Sequence, residues 1–116
     1  MPSVLERIQQ WYADQCDGEW EHDFGVRIES LDNPGWLLRI NLAGTALESR
    51  PFATLAEGLE EDEGAGHPTS ITWHSISVKG NVFEAAGDPS KLEFFLRTFL
   101  DWAKQQAPVV KSDWPF

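Results

Sequence analysis

The chain has 116 residues, nine of them Lys or Arg and nineteen Asp or Glu, for a formal charge of −10. That length holds one domain with a real core and leaves little room for a second, while six Trp, seven Phe and one Tyr in a hydrophobic fraction of 41% argue against disorder. The charge argues against nucleic acid and anionic membranes as partners, because both call for a basic footprint, and it favours a basic partner.

The first predicted element is a helix. Ser3 and Glu6 have capping-box spacing. Leu5, Ile8, Trp11, Tyr12 and Cys16 recur as an apolar stripe, and Gly18 is placed to end the helix in a left-handed conformation. Two strands follow. Phe24, Val26 and Ile28 alternate with Gly25, Arg27 and Glu29; Trp36, Leu38, Ile40 and Leu42 alternate with Leu37, Arg39, Asn41 and Ala43. Asp32-Asn33-Pro34-Gly35 between them predicts a type II turn, with Pro34 setting φ at the first central position and Gly35 taking a positive φ at the second.

Residues 44–69 are less periodic. Residues 47–55 supply a further strand, with Pro51 placing it at an edge or a bulge. Glu57, Glu60, Glu61, Asp62 and Glu63 follow and run into Gly64, Ala65, Gly66, His67 and Pro68, which reads as a mobile acidic loop. Residues 71–78 and 82–86 read as strands joined by the two-residue hairpin signal Gly80-Asn81. Ile71 and Trp73 fall on one parity, Ile76 and Val78 on the other, so either both faces are covered or a bulge intervenes. A last helix is capped by Asp88, with Pro89 at its first position. Its stripe is Leu92, Phe95, Leu96, Phe99 and Ala103, widened by Phe94, Leu100 and Trp102. Pro108 stops it, and residues 107–116 form an irregular tail in which Trp114 and Phe116 can dock. The order helix, strands, helix predicts one α+β domain over residues 1–116: an antiparallel β-meander of four to six strands flanked by an N-terminal and a C-terminal helix.

The candidate chemistry is sparse. One cysteine, Cys16, makes no internal disulfide and no Cys-based zinc site. It suits a reducing compartment. With no basic segment leading into an apolar run at the N-terminus and no long apolar stretch, the expectation is a soluble cytoplasmic protein. Cys16 itself reads as a small buried hydrophobe, since a helix C-terminus raises a thiol pKa. His22, Asp23, His67 and His74 are the metal-ligand types, but no spacing forces them together, so no metal and no cofactor are expected. Asp14, Asp17, Glu19, Glu21 and Asp23 crowd one segment without a cation and read first as a solvated acidic surface. Trp11, Trp36, Trp73 and Trp102 read as core; Trp20 and Trp114 read equally as core lids or exposed anchors.

Four strings carry a resemblance: Trp11-Tyr12-x-x-Gln15-Cys16-Asp17-Gly18-x-Trp20-Glu21-His22; Ile28-Glu29-Ser30-Leu31-Asp32-Asn33-Pro34-Gly35-Trp36; Phe83-Glu84-Ala85-Ala86-Gly87-Asp88-Pro89-Ser90-x-Leu92; and Phe99-Leu100-x-Trp102. Together they resemble the immunity proteins of bacterial polymorphic toxin systems, the family numbered fifty-three. The resemblance spans nearly the whole chain and is thinnest over residues 47–70. It implies a non-catalytic protein that binds and neutralises a cognate toxin, with no cofactor. Many such toxins are nucleases with basic clefts, which suits a charge of −10. The alternatives are a small enzyme using the carboxylates near Trp20 and a generic acidic adaptor. The expected toxin-binding residues form two groups: Glu19, Trp20, Glu21 and Asp23 for close contact, and Glu57, Glu60, Glu61, Asp62 and Glu63 for electrostatic steering.

Overall fold

The computed structural model describes residues 2–62, 65–68 and 72–106. Helix α1 (Val4–Gln15) starts as its capping box requires: Ser3 Oγ accepts from the Glu6 amide at 3.1 Å, and Glu6 Oε1 accepts from the Ser3 amide at 2.8 Å. Its buried stripe is narrower than predicted. Ile8 is buried and Trp11 meets Phe99 edge-on at 4.9 Å, but Leu5 and Tyr12 are exposed. The helix ends at Gln15, with half-buried Cys16 as its extended cap, its Sγ donating to the Tyr12 carbonyl at 3.3 Å. Gly18, at φ +97°, lies in the loop beyond, where it turns the chain into a four-residue helix, α2 (Trp20–Asp23), that has no periodic signature in the sequence.

Strands β1 (Val26–Leu31) and β2 (Gly35–Asn41) pair antiparallel, with Leu31 opposite Gly35. The connection is therefore residues 32–34 alone, and the expected type II turn does not form. Gly35 is not at positive φ. It is the buried first residue of β2, and a Cβ there would run into the carbonyl oxygen of Gly87. Glycine is required by the close approach of two backbones, not by a turn.

The further strands are β3 (Leu55–Glu57), β4 (Leu59–Asp62), β5 (Ala65–Pro68), β6 (His74–Lys79) and β7 (Val82–Gly87). Pro51 lies before β3, outside any strand. Strand β6 starts at His74, so Trp73 falls outside it and the parity change needs no bulge; Ile71 lies outside the described residues. Gly80 (φ +56°) and Asn81 (φ +65°) make the tight β6–β7 turn, as the pair signalled.

The main sheet runs β1-β2-β7-β6-β3 and is antiparallel throughout; β4 and β5 form a separate two-stranded sheet. The expected α+β layout of an antiparallel sheet with an N-terminal and a C-terminal helix is thus present. The connectivity departs from a plain meander, because β7 inserts between β2 and β6 and β3 pairs at the far edge. Register places Leu38 and Ile40 beside Phe83 and Ala85, with Ile76 next in line, all fully buried.

Helix α3 (Leu92–Gln106) covers this face with Phe95, Leu96, Phe99, Leu100 and Trp102. It starts at Leu92, later than predicted. Asp88 does not cap it directly; it organises the preceding turn, accepting from the Ser90 amide and the Lys91 ammonium at 2.8 Å each. Pro108, Trp114 and Phe116 lie outside the described residues. Two indoles fasten loops to this core: Trp36 Nε1 donates to the Pro89 carbonyl at 3.0 Å and Trp102 Nε1 to that of Pro51 at 2.8 Å. The opposite sheet face carries Arg27, Arg39, Glu84, Ser77 and Lys79. Among the described residues no helix is long and apolar enough to cross a membrane.

Candidate functional site

The acidic segment after α1 folds into a corner built around Trp20. Its indole is 6% exposed and donates Nε1–H to the Ala43 carbonyl at 2.9 Å. The ring lies 6.1 Å from Trp11, 6.0 Å from Tyr12 and 6.2 Å from Phe24. Trp20 is therefore buried, the core-lid placement of the two that its sequence context left open. The aromatic surface at this corner belongs to Tyr12 and Phe24, each a little over one-third exposed.

Two of the carboxylates hold the corner together. Asp17 Oδ1 accepts from the amides of Glu19, the N-cap of α2, and of Trp20, its first residue, both at 2.9 Å. Glu21 accepts from the Asp17 and Gly18 amides, one oxygen each, at 2.9 Å. Both carboxyls are held below their ordinary range by amide donors, the Trp20 amide first for Asp17 and its own amide first for Glu21. Glu19 and Asp23 stand exposed on the rim.

The second acidic group is carried on strands. Glu57 is exposed in β3, opposite His74 of β6. Glu60, Glu61 and Asp62 lie in β4 and pair with His67, Gly66 and Ala65 of β5. The described part of the expected acidic loop is thus a hairpin arm; Glu63 lies outside the described residues. The metal-ligand types stay apart: His22 and Asp23 are on α2, His67 is in β5, and buried His74 packs 5.0 Å from Phe94. Among the described residues no three His, Cys, Asp or Glu side chains converge.

An open cleft of about 910 Å³ adjoins the corner. Tyr12, His22, Asp23 and Phe24 line one side; Arg27, Arg39, Lys79 and Glu84 of the uncovered sheet face line the other. Arg27 and Arg39 are direct cross-strand neighbours, a repulsive placement, and Arg39 Nε is neutralised by Glu84 Oε2 at 2.7 Å. Three of the chain's nine cations therefore gather in one cleft of an acidic protein. Charge counting over the whole chain hides this. The sequence signal was the outward parity of Arg27 and Arg39 on half-buried strands.

The whole is a small α+β scaffold with one sheet face covered by α3, the other open among the described residues, and a charged aromatic corner. The chain matches the family model Immunity protein 53 over residues 5–104, and it belongs to that family. Membership brings an immunity role and implies a cognate toxin as partner. Searches of curated proteins and of solved structures return no significant match.

Proposed function

We propose that this protein binds its cognate toxin in the cytoplasm and neutralises it by occupation, without catalysis. Family membership over residues 5–104 is the observation that carries this reading. The contact is the corner and its cleft. Phe24 and Tyr12 supply partly exposed aromatic surface on a backbone fixed from behind by Trp20, which lowers the ordering cost of binding. Glu19 and Asp23 offer charges to a basic toxin surface, and Arg27 and Lys79 take its carboxylates. A mixed-sign patch of this kind fixes orientation as well as attracting. The acidic run from Glu57 through Glu60, Glu61, Asp62 and Glu63 steers the approach.

The test uses the toxin encoded by the neighbouring reading frame. Titrating toxin activity with this protein is expected to reach its endpoint at one equivalent; complete inactivation by a small fraction of an equivalent would establish turnover and overturn the reading. Phe24→Ala and Asp23→Lys are expected to weaken neutralisation roughly tenfold or more each, with unchanged circular dichroism. Full neutralisation by both variants would remove the corner from the contact.

A further inference from the structure

We propose that the edge of β1, unpaired among the described residues, is a self-association surface, pairing antiparallel with β1 of a second copy of this chain so that Ile28 faces Ile28 and Arg27 faces Glu29. The two edges of the main sheet are unlike. β3 is a three-residue edge, a common way to blunt pairing. β1 is six residues long, contains no Pro, and turns only Val26, Ile28 and Ser30 toward the helix side, with no charge among them. It has no Pro and no inward-pointing charge to keep the edge single; its charged residues, Arg27 and Glu29, lie on the outer face and are of opposite sign. Ile28 is 46% exposed there.

Backbone parity restricts the register. The Asn41 amide donates to the Gly25 carbonyl at 3.1 Å, so Gly25 and Asn41 form a hydrogen-bonded pair in line with the β1–β2 register. Alternation then gives Arg27, Glu29 and Leu31 to β2, and leaves the amides and carbonyls of Val26, Ile28 and Ser30 facing the open edge. An incoming antiparallel copy must pair through those three residues. Centred on Ile28, the pairing sets Ile28 on Ile28 and Val26 on Ser30, and on the outer face each Arg27 lies opposite a Glu29. A shift of two residues one way sets Arg27 against Arg27; the other way sets Glu29 against Glu29. Opposite charges directly across a ladder stabilise it and like charges oppose it, so one register is selected. The charge of −10 on each copy repels at long range, but it is screened beyond about 8 Å at physiological ionic strength. At the edge itself the charges are Arg27 and Glu29, which balance.

Sedimentation equilibrium of the full chain tests this. A concentration-dependent dimer is expected. Arg27→Glu alone and Glu29→Arg alone should each weaken it roughly tenfold, because each places like charges across both symmetry-related pairs. The double swap should restore it, and Ile28→Lys should abolish it, with circular dichroism unchanged in every case. A monomer at all concentrations overturns the proposal, as does a dimer that the double swap fails to restore. A monomer whose Ile28→Lys variant loses affinity for the toxin would give the edge to a strand of the toxin instead, and overturn it equally.

Discussion

Asp88 is 2% exposed, yet it stays ionised. Burial alone would raise its pKa, but donors from Lys91, Ser90 and the Trp73 amide outweigh burial and hold the carboxyl well below the usual range. The unfolded chain therefore takes up this proton first on acidification. The stability Asp88 contributes is complete above about pH 4 and is lost progressively below it. Asp88→Ala, which also orphans the buried Trp73 amide, is expected to cost about 3 kcal/mol near neutral pH, read from urea midpoints. His74 adds an earlier acid limb. Its pKa is lowered, first by burial and then by Lys91, against the opposing pull of Glu57 and Asp88, and its Nδ1 has no hydrogen-bond partner. Being depressed in the folded state, it contributes stability above about pH 6.5 that is lost as pH falls. His74→Leu is expected to flatten the midpoint between pH 7 and about pH 5; an unchanged slope would assign that limb to another group. Gly35→Ala is expected to destabilise by roughly 1–3 kcal/mol, because Cβ meets the Gly87 carbonyl and two paired strands must separate. A melt like that of the unaltered chain would mean β2 and β7 part more readily than their pairing indicates.

Among the elements, α3 and α2 mark two ways of being held. α3 is held by its periodic apolar face, so Phe95→Ala, at a position with no exposure, is expected to cost about 3–5 kcal/mol. α2 is four residues long and has no face to speak of. It exists because Asp17 accepts from its first amide, Glu21 accepts from the Asp17 and Gly18 amides of the loop before it, and Trp20 pins it to Ala43. Trp20→Phe keeps the ring contacts and loses one hydrogen bond, so about 1 kcal/mol is expected; Trp20→Ala should cost about 3–5. Equal effects of the two would mean that the hydrogen bond, not the ring, holds the corner. The same contrast explains what was legible in the sequence. The α3 stripe, the β2 alternation and the Gly80-Asn81 hairpin are local periods and were readable. Whether Leu5 and Tyr12 fall on the buried or the exposed flank of α1 depends on the width of the neighbouring layer, which no period encodes. Gly35 fits a type II turn by its neighbours and a close strand crossing by its tertiary contact, and the contact decides. The strings that carry the family resemblance turn out to hold joints: Trp20 to Ala43, Gly35 against Gly87, Trp36 to Pro89, Asp88 to Trp73. The cleft has no local signature, because its cations come from three separate strands.

At the scale of the whole molecule, charge is distributed rather than uniform. Of the acidic run Glu60, Glu61, Asp62 and Glu63, the first three lie in β4, while Arg27, Arg39 and Lys79 gather on the sheet face away from α3. On the proposed reading, these two features act at different stages of an encounter. Beyond a Debye length a partner senses the summed field, to which four clustered acids contribute strongly; at contact it senses individual groups in the cleft. Converting Glu60, Glu61 and Glu63 to Gln and Asp62 to Asn leaves a formal charge of −6. Against a basic toxin this is expected to slow association roughly tenfold at low salt and to flatten its salt dependence, with little change in dissociation. Lys79→Ala should do the reverse, speeding dissociation and leaving association nearly unchanged, because it removes one contact group and makes the field slightly more negative. Stopped-flow association at low and high salt, paired with dissociation by displacement, separates the two. Association at low salt unaffected by the fourfold neutralisation would take the arm out of the mechanism. Lys79→Ala with unaltered dissociation would place the contact away from the cleft.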